Sequence, residues 1–80
     1  MEINNKFASR VADMIHLTAQ AIGHDAMPYC DDNEAFIESV ITNADFYGED
    51  PEAYQVLKET IRENGYHKVL KFLSEAFPYV

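Results

Sequence analysis

Cys30 is the only cysteine of the chain, and its neighbours indicate what its sulfur could do. A catalytic thiol acts as the thiolate, which nearby positive charge or a helix N-terminus stabilises. Cys30 is instead followed by two carboxylates, Asp31 and Asp32. Their negative charge disfavours the thiolate. The segment therefore predicts a small, partly buried thiol and no cysteine enzyme. A single cysteine also forms no disulfide within the chain.

The histidines do not have the spacing of a helical metal site. His16 and His24 lie eight residues apart, whereas ligands on one helix face recur at i,i+3 or i,i+4. Asp25 and Cys30 follow His24 closely, so a weak metal site stays an alternative to exposed polar histidines.

The segment that begins at Asn43 resembles the first half of a calcium-binding loop. Asn43, Asp45 and Gly48 follow the ligand and glycine spacing of an EF-hand, but its last ligand position holds Tyr54 in place of a bidentate glutamate. Phosphate-binding glycine loops and Gly-x-Ser-x-Gly turns are absent. We therefore predict a non-enzymatic protein with no cofactor or metal.

Negative charge is confined to one part of the sequence. The formal net charge is −8, and residues 31–63 hold ten of the 14 acidic residues with only two basic ones. This block alone accounts for the whole net charge. The charge disfavours direct contact with nucleic acid or an anionic membrane, because both need Lys and Arg. It favours a basic partner protein.

Helical spacing gathers these acids into two ridges. Glu34, Glu38 and Asp45 share an arc of about 40° on one helix, and three acids of the next helix share a similar arc. Acids one turn apart cost a helix a few tenths of a kcal/mol, so helix formation does not explain the pattern. An acidic loop with two aromatic residues joins the ridges. The predicted partner-binding residues are Glu34, Glu38, Asp45, Phe46, Tyr47, Glu49, Asp50, Glu52, Glu59 and Glu63.

Two interpretations of the acidic block stay open. In the first, it docks on the basic surface of a nucleic-acid-binding protein or nuclease complex and blocks it. Acids about 6 Å apart, one helical turn, have a spacing of the order of successive phosphates, so nucleic-acid mimicry is part of this hypothesis. In the second, the acids form a solvated face that keeps a small protein soluble.

A different function class is a structural or regulatory helical module that self-associates. Its apolar surface would come from Leu17, Phe72 and the tail 77–80, away from the acidic block. Sequence alone leaves monomer and homodimer both open.

Apolar residues recur with helical spacing along the whole chain and predict one all-α domain over residues 1–80. We expect helices at about 5–22, 33–45, 51–63 and 66–77, packed as a compact four-helix bundle or orthogonal array. Gly23 is the predicted end of the first helix, and Asp50-Pro51 is the clearest start. The predicted core is Phe7, Val11, Met14, Ile15, Thr18, Ile22, Phe36, Ile37, Val40, Ile41, Ala44, Tyr54, Leu57, Ile61, Tyr66, Val69, Leu70, Leu73 and Phe77.

Neither a signal-peptide pattern at residues 1–5 nor an apolar run of about 20 residues is present. We therefore expect a cytoplasmic protein, in the host cytoplasm where the gene is carried by a phage.

Three groups of known proteins share some of these features. Acyl carrier proteins have the same size, acidity and helix number, but they need a serine at the start of helix two, whereas Ser39 lies mid-helix. Residues 45–51 are loosely similar to the aromatic and acidic binding loop of colicin-DNase immunity proteins. Phage inhibitors of restriction or CRISPR nucleases are similar in size and charge. These likenesses are in kind, and no family is assigned.

Overall fold

Four α-helices and one short 3-10 turn make up the computed structural model, which describes all 80 residues. The helices are α1 (Asn5–Ala26), α2 (Asn33–Tyr47), α3 (Pro51–Asn64) and α4 (Tyr66–Ala76), with the 3-10 turn at Met27–Tyr29. No strand is present, so the predicted all-α fold of four helices is confirmed.

The helices pack as a four-cornered array in which α2 and α3 lie across from each other. α1 packs on both α2 and α3, and α4 packs on the same two helices from the other side. Direct contact between α2 and α3 is small and follows from their short connection. The radius of gyration of 11.3 Å is close to what a domain of this size should have.

Side-chain caps begin the first three helices. Asn4 caps α1, Asp32 accepts a hydrogen bond from the Ala35 amide, and Asp50 accepts one from the Ala53 amide. Each cap satisfies a backbone donor that the first helical turn leaves unpaired. The cap of α2 is Asp32 and not the preceding Asp31.

The prediction that α1 ends at Gly23 is wrong. The helix continues through Gly23 to Ala26, whose side chain packs against the core, and it gives way to the 3-10 turn next to Pro28. A glycine permits a helix to end but does not require it, and packing of the following turn decides the outcome.

The predicted core residues are buried with three exceptions. Tyr54 and Ile61 are half-buried, and Tyr66 is exposed at the start of α4. Thr60 is buried although it is polar, because its hydroxyl donates to the Val56 carbonyl at 2.7 Å. No buried side-chain nitrogen or oxygen lacks a hydrogen-bond partner.

Asn33 holds the C-terminal end of the chain against α2. Its amide nitrogen donates to the carbonyls of Ser74 at 2.6 Å and Phe77 at 2.9 Å. Its amide oxygen accepts from the backbone amides of Tyr79 and Val80, at 2.7 and 2.9 Å. One side chain thus satisfies backbone groups on both sides of the end of α4.

Aromatic contacts complete the attachment of this tail. The Tyr79 ring lies 5.6 Å from the Phe36 ring, and its hydroxyl is hydrogen-bonded to His16. Phe77 is buried, and Phe72 packs on Phe7 with ring centroids 6.1 Å apart. Phe72 and the tail 77–80 were predicted to supply apolar surface for self-association, but Phe72, Phe77 and Tyr79 pack within the fold.

Candidate partner-binding surface

The connection between α2 and α3 is a short, tightly built loop. Gly48 ends α2, Glu49 follows in the left-handed region with φ of 55°, and Asp50 caps α3. A Cβ atom at Gly48 would lie 2.4 Å from the Met14 side chain and 2.5 Å from the Ala44 carbonyl oxygen. The glycine is therefore required for the close approach of α1, and the loop has a fixed shape.

Phe46 and Tyr47 project from the end of α2 next to this loop. Phe46 is 77% exposed, Tyr47 is 40% exposed, and their rings meet edge to face with centroids 4.8 Å apart. The exposed side chain of Leu17 on α1 lines a shallow cleft together with them. We call Leu17, Phe46 and Tyr47 the aromatic patch, and it is the most exposed group of adjoining apolar side chains in the loop region.

The acids of α2 border α4. Glu34 and Glu38 line a depression with Leu70, and the pKa of the neighbouring Tyr66 phenol is raised by burial and then by the negative charge of Glu38. Asp45 lies on the same arc of the helix, seven residues beyond Glu38. This ridge therefore faces away from α1.

The acids of α3 border α1 instead. Arg10 lies 3.7 Å from Asp50 and 3.6 Å from Glu52. The N-terminal ammonium group lies 2.6 Å from Glu63, and its hydrogen bond and charge lower the pKa of that carboxyl. Glu59 follows the same helical arc, one turn before Glu63.

The two predicted ridges are therefore not side by side. Because α2 and α3 lie across the array, one ridge borders α4 and the other borders α1. Three of the predicted acids are also paired with a positive charge, which reduces what they can offer a partner. The unpaired acids next to the aromatic patch or along α2 are Glu34, Glu38, Asp45 and Glu49, which we call the acidic rim.

Three residues of α1 at this surface were not predicted to belong to it. Leu17, Gln20 and Ala21 line the cleft beside Phe46 and Tyr47. Leu17 was noticed as an apolar residue outside the buried stripe of α1, but it was placed away from the acidic block. The prediction of that position is wrong, because α1 and α2 run antiparallel and bring Leu17 to the end of α2.

No group of three or more His, Cys, Asp or Glu side chains is arranged to hold a metal ion. Among the helices, none is both long enough and apolar enough to cross a lipid bilayer. The exposed aromatic pair can bury apolar area against a partner, and the unpaired carboxylates of Asp45 and Glu49 next to it can attract cations.

Comparison with known protein families, curated proteins and solved structures finds no match to this chain. The function must therefore be argued from the surface itself.

Proposed function

We propose that the chain is a non-enzymatic binding protein that docks on a basic, nucleic-acid-binding surface of a partner protein and blocks it. The observation that supports this proposal is the exposed Phe46 ring, which is held against Tyr47 and adjoins the unpaired carboxylates of Asp45 and Glu49. Such a protein would be an inhibitor of the anti-CRISPR, anti-restriction or nuclease-immunity kind, acting in the cytoplasm of a phage host.

An exposed phenylalanine is costly in water and valuable in an interface. Burying a Phe side chain contributes about 1.5–3 kcal/mol. Binding energy in protein interfaces is concentrated in a few aromatic or arginine side chains near the centre, with polar residues around them. Phe46 has the exposure and the rigid aromatic neighbour that such an anchor needs.

The acidic rim supplies the attraction to a basic surface. Glu34, Glu38 and Asp45 follow one arc of α2, and none of them has a cation within ion-pair distance. Complementary charge mainly raises the association rate and selects the partner, while the buried anchor slows dissociation. Binding of this kind should therefore be fast and should weaken with salt.

The experiment is affinity capture from a host lysate at low and high salt, with Phe46→Ala compared with wild type. The matched control is Tyr29→Ala, which removes an aromatic ring that is 87% exposed but lies outside the patch. We expect wild type and Tyr29→Ala to capture a basic nucleic-acid-binding protein at low salt. Phe46→Ala should fail to capture it. A partner that all three variants retain equally, or that high salt does not release, would contradict the proposal.

Self-association is the second candidate, because Leu17 and Phe46 are exposed side by side. Phe72, Phe77 and Tyr79 no longer support it, since they pack within the fold. Sedimentation velocity at micromolar concentration separates the two candidates. A dimer that Phe46→Ala dissociates would favour self-association through the aromatic patch.

A further inference from the structure

A groove runs between α1 and α2 from the aromatic patch towards the start of α2. It consists of two adjoining depressions that share Ala21 and Tyr47. The small Ala21 side chain and the Tyr47 ring line both depressions and mark where they meet. The first depression is also lined by Leu17, Gln20, Phe46 and Glu49, and the second by Ile22, Asp25, Ala26, Ser39 and Asn43.

The groove carries a carboxylate at each end and no cation along its lining. Glu49 borders the first depression and Asp25 borders the second, and neither is within ion-pair distance of a positive charge. The amide nitrogen of Asn43 donates to the Ser39 carbonyl at 2.7 Å, which leaves the Asn43 amide oxygen as an acceptor. The groove thus offers acceptors and aromatic faces, which suit a cationic donor.

We infer that this groove receives a short basic segment of the partner, in which two arginines flank an apolar residue. The inference rests on the proposed function and specifies what the partner presents. The apolar residue would lie against Leu17 and Phe46, and the arginines would reach Glu49 and Asp25. Arginine is favoured over lysine because its planar guanidinium group can stack on Tyr47 and donate to two acceptors together.

The length of the groove sets the spacing of the two arginines. Gln20 and Asp25 lie five residues apart on α1, and Leu17 and Asp25 lie eight apart. At 1.5 Å per residue, the two ends are separated by roughly 8–12 Å. In an extended segment only every second side chain faces the groove, so two arginines at i and i+4, about 13 Å apart with the apolar residue at i+2 between them, can reach both ends.

The test is an NMR titration of the full chain with the peptide acetyl-Ala-Arg-Ala-Leu-Ala-Arg-Ala-amide, in which both arginines and the leucine share one face of an extended chain. We expect amide shifts that concentrate on Ala21, Asp25 and Tyr47, with weaker binding of the same peptide carrying lysines in place of arginines. Asp25→Asn should weaken binding by about three- to fivefold, the scale of one exposed ion pair. Asp13→Asn is the matched control, because Asp13 is also an exposed, unpaired carboxylate of α1 but lies outside the groove.

A second variant tests the groove by filling it. Ala21→Lys places a long cationic side chain at the junction of the two depressions and should abolish the peptide shifts, whereas Ser9→Lys on the same helix should not. Equal binding by Asp25→Asn and wild type, or shifts centred elsewhere, would overturn the inference. Equal affinity for the arginine and lysine peptides would overturn the choice of arginine.

Failure of this inference can be told apart from failure of the proposed function. If Phe46→Ala loses the captured partner but Ala21→Lys retains it, the proposed function stands and the groove is not part of the binding site. A concentration-dependent dimer that Ala21→Lys dissociates would show that a second copy covers the groove, and would overturn the inference.

Discussion

At the scale of single residues, the shape of the loop between α2 and α3 depends on Gly48 and Glu49. The glycine has φ of −76°, which any residue can adopt, and it is needed for space between Met14 and the Ala44 carbonyl. The next residue, Glu49, takes the left-handed conformation that glycine usually takes. This non-glycine residue carries some backbone strain at the edge of the candidate surface.

Gly48→Ala should destabilise the protein, because its Cβ atom would meet backbone at 2.5 Å. We expect a loss of about 1–3 kcal/mol in the free energy of unfolding, the range for overpacking a core. Gly23→Ala is the matched control, since it is helical and has open space around it. It should stabilise the chain by up to about 1 kcal/mol. Urea denaturation checks both, and equal effects of the two variants would contradict this account.

Tyr66 should make stability depend on pH in the alkaline range. Its folded pKa is raised above 10.0, first by burial and then by the charge of Glu38. The unfolded phenol ionises near pH 10, so above that pH the unfolded state loses more protons than the folded state. Stability should be unaffected by this group below pH 10 and should fall as pH rises beyond it.

Thermal unfolding between about pH 8 and pH 11 tests this dependence on the tyrosine pKa. The decline of the unfolding midpoint above pH 10 should be shallower in Tyr66→Phe than in wild type. Glu38→Gln should show part of the same change. It removes the charge of Glu38, which raises the pKa of Tyr66 less than burial does, and it leaves the burial of the phenol unchanged. A Tyr66→Phe profile parallel to that of wild type would refute the role of this residue.

At the scale of elements, Asn33 links α2 to the end of α4. Its four hydrogen bonds satisfy two carbonyls and two amides that the end of α4 and the tail would otherwise expose. These bonds hold the C-terminal end of α4 on α2, while buried Val69, Leu70 and Leu73 pack the helix against the core. The helices are therefore oriented by polar contacts as well as by the apolar core.

Asn33→Asp should loosen this link. The change replaces an amide donor with a carboxylate oxygen next to the Ser74 and Phe77 carbonyls, and we expect a loss of about 1–3 kcal/mol in the free energy of unfolding. Asn5→Asp is a close control, because Asn5 is the first residue of α1 as Asn33 is of α2. Chemical denaturation measures both. Equal losses in the free energy of unfolding for Asn33→Asp and Asn5→Asp would mean that the hydrogen bonds of Asn33 contribute nothing to stability.

For the whole molecule, the arrangement of charge matters more than its total. The net charge of −8 would attract any basic protein weakly. Ion pairs with Arg10 and the N-terminus reduce the charge on the α1 side, while the acidic rim along α2 stays unpaired. The fold thus leaves unpaired carboxylates along α2, of which Asp45 adjoins the aromatic patch together with Glu49.

Reversing two charges tests this localisation. Glu34→Lys with Glu38→Lys takes the net charge from −8 to −4, and Glu2→Lys with Glu75→Lys makes the same change outside the predicted surface. We expect the first pair to weaken partner binding at least about tenfold at low salt, and the second pair to have a much smaller effect. Calorimetric titration against the captured partner measures the difference. Equal losses in both variants would show that only net charge matters.

Much of this protein follows from the sequence by itself. The number of helices, the buried stripes, the Asp50 cap and the acidic block are local properties, since each depends on residues a few positions apart. Helical periodicity and capping chemistry act over one or two turns, which explains why the predicted helices, most of the buried stripes and the Asp50 cap were confirmed. The exposure of Phe46 does not follow from local spacing in the same way, because a residue at a helix end can turn to either side.

Only the tertiary structure decided which surfaces come together. Gly23 lies inside α1 because packing of the next turn outweighs its low helix propensity. The two acidic ridges border different helices because α2 and α3 lie across the array, and Leu17 meets Phe46 because α1 and α2 are antiparallel. These outcomes depend on the angles at which helices pack, and those angles are set by contacts between residues far apart in the chain. The sequence by itself determined where the negative charge lies along the chain, and the fold decided which part of it can meet a partner.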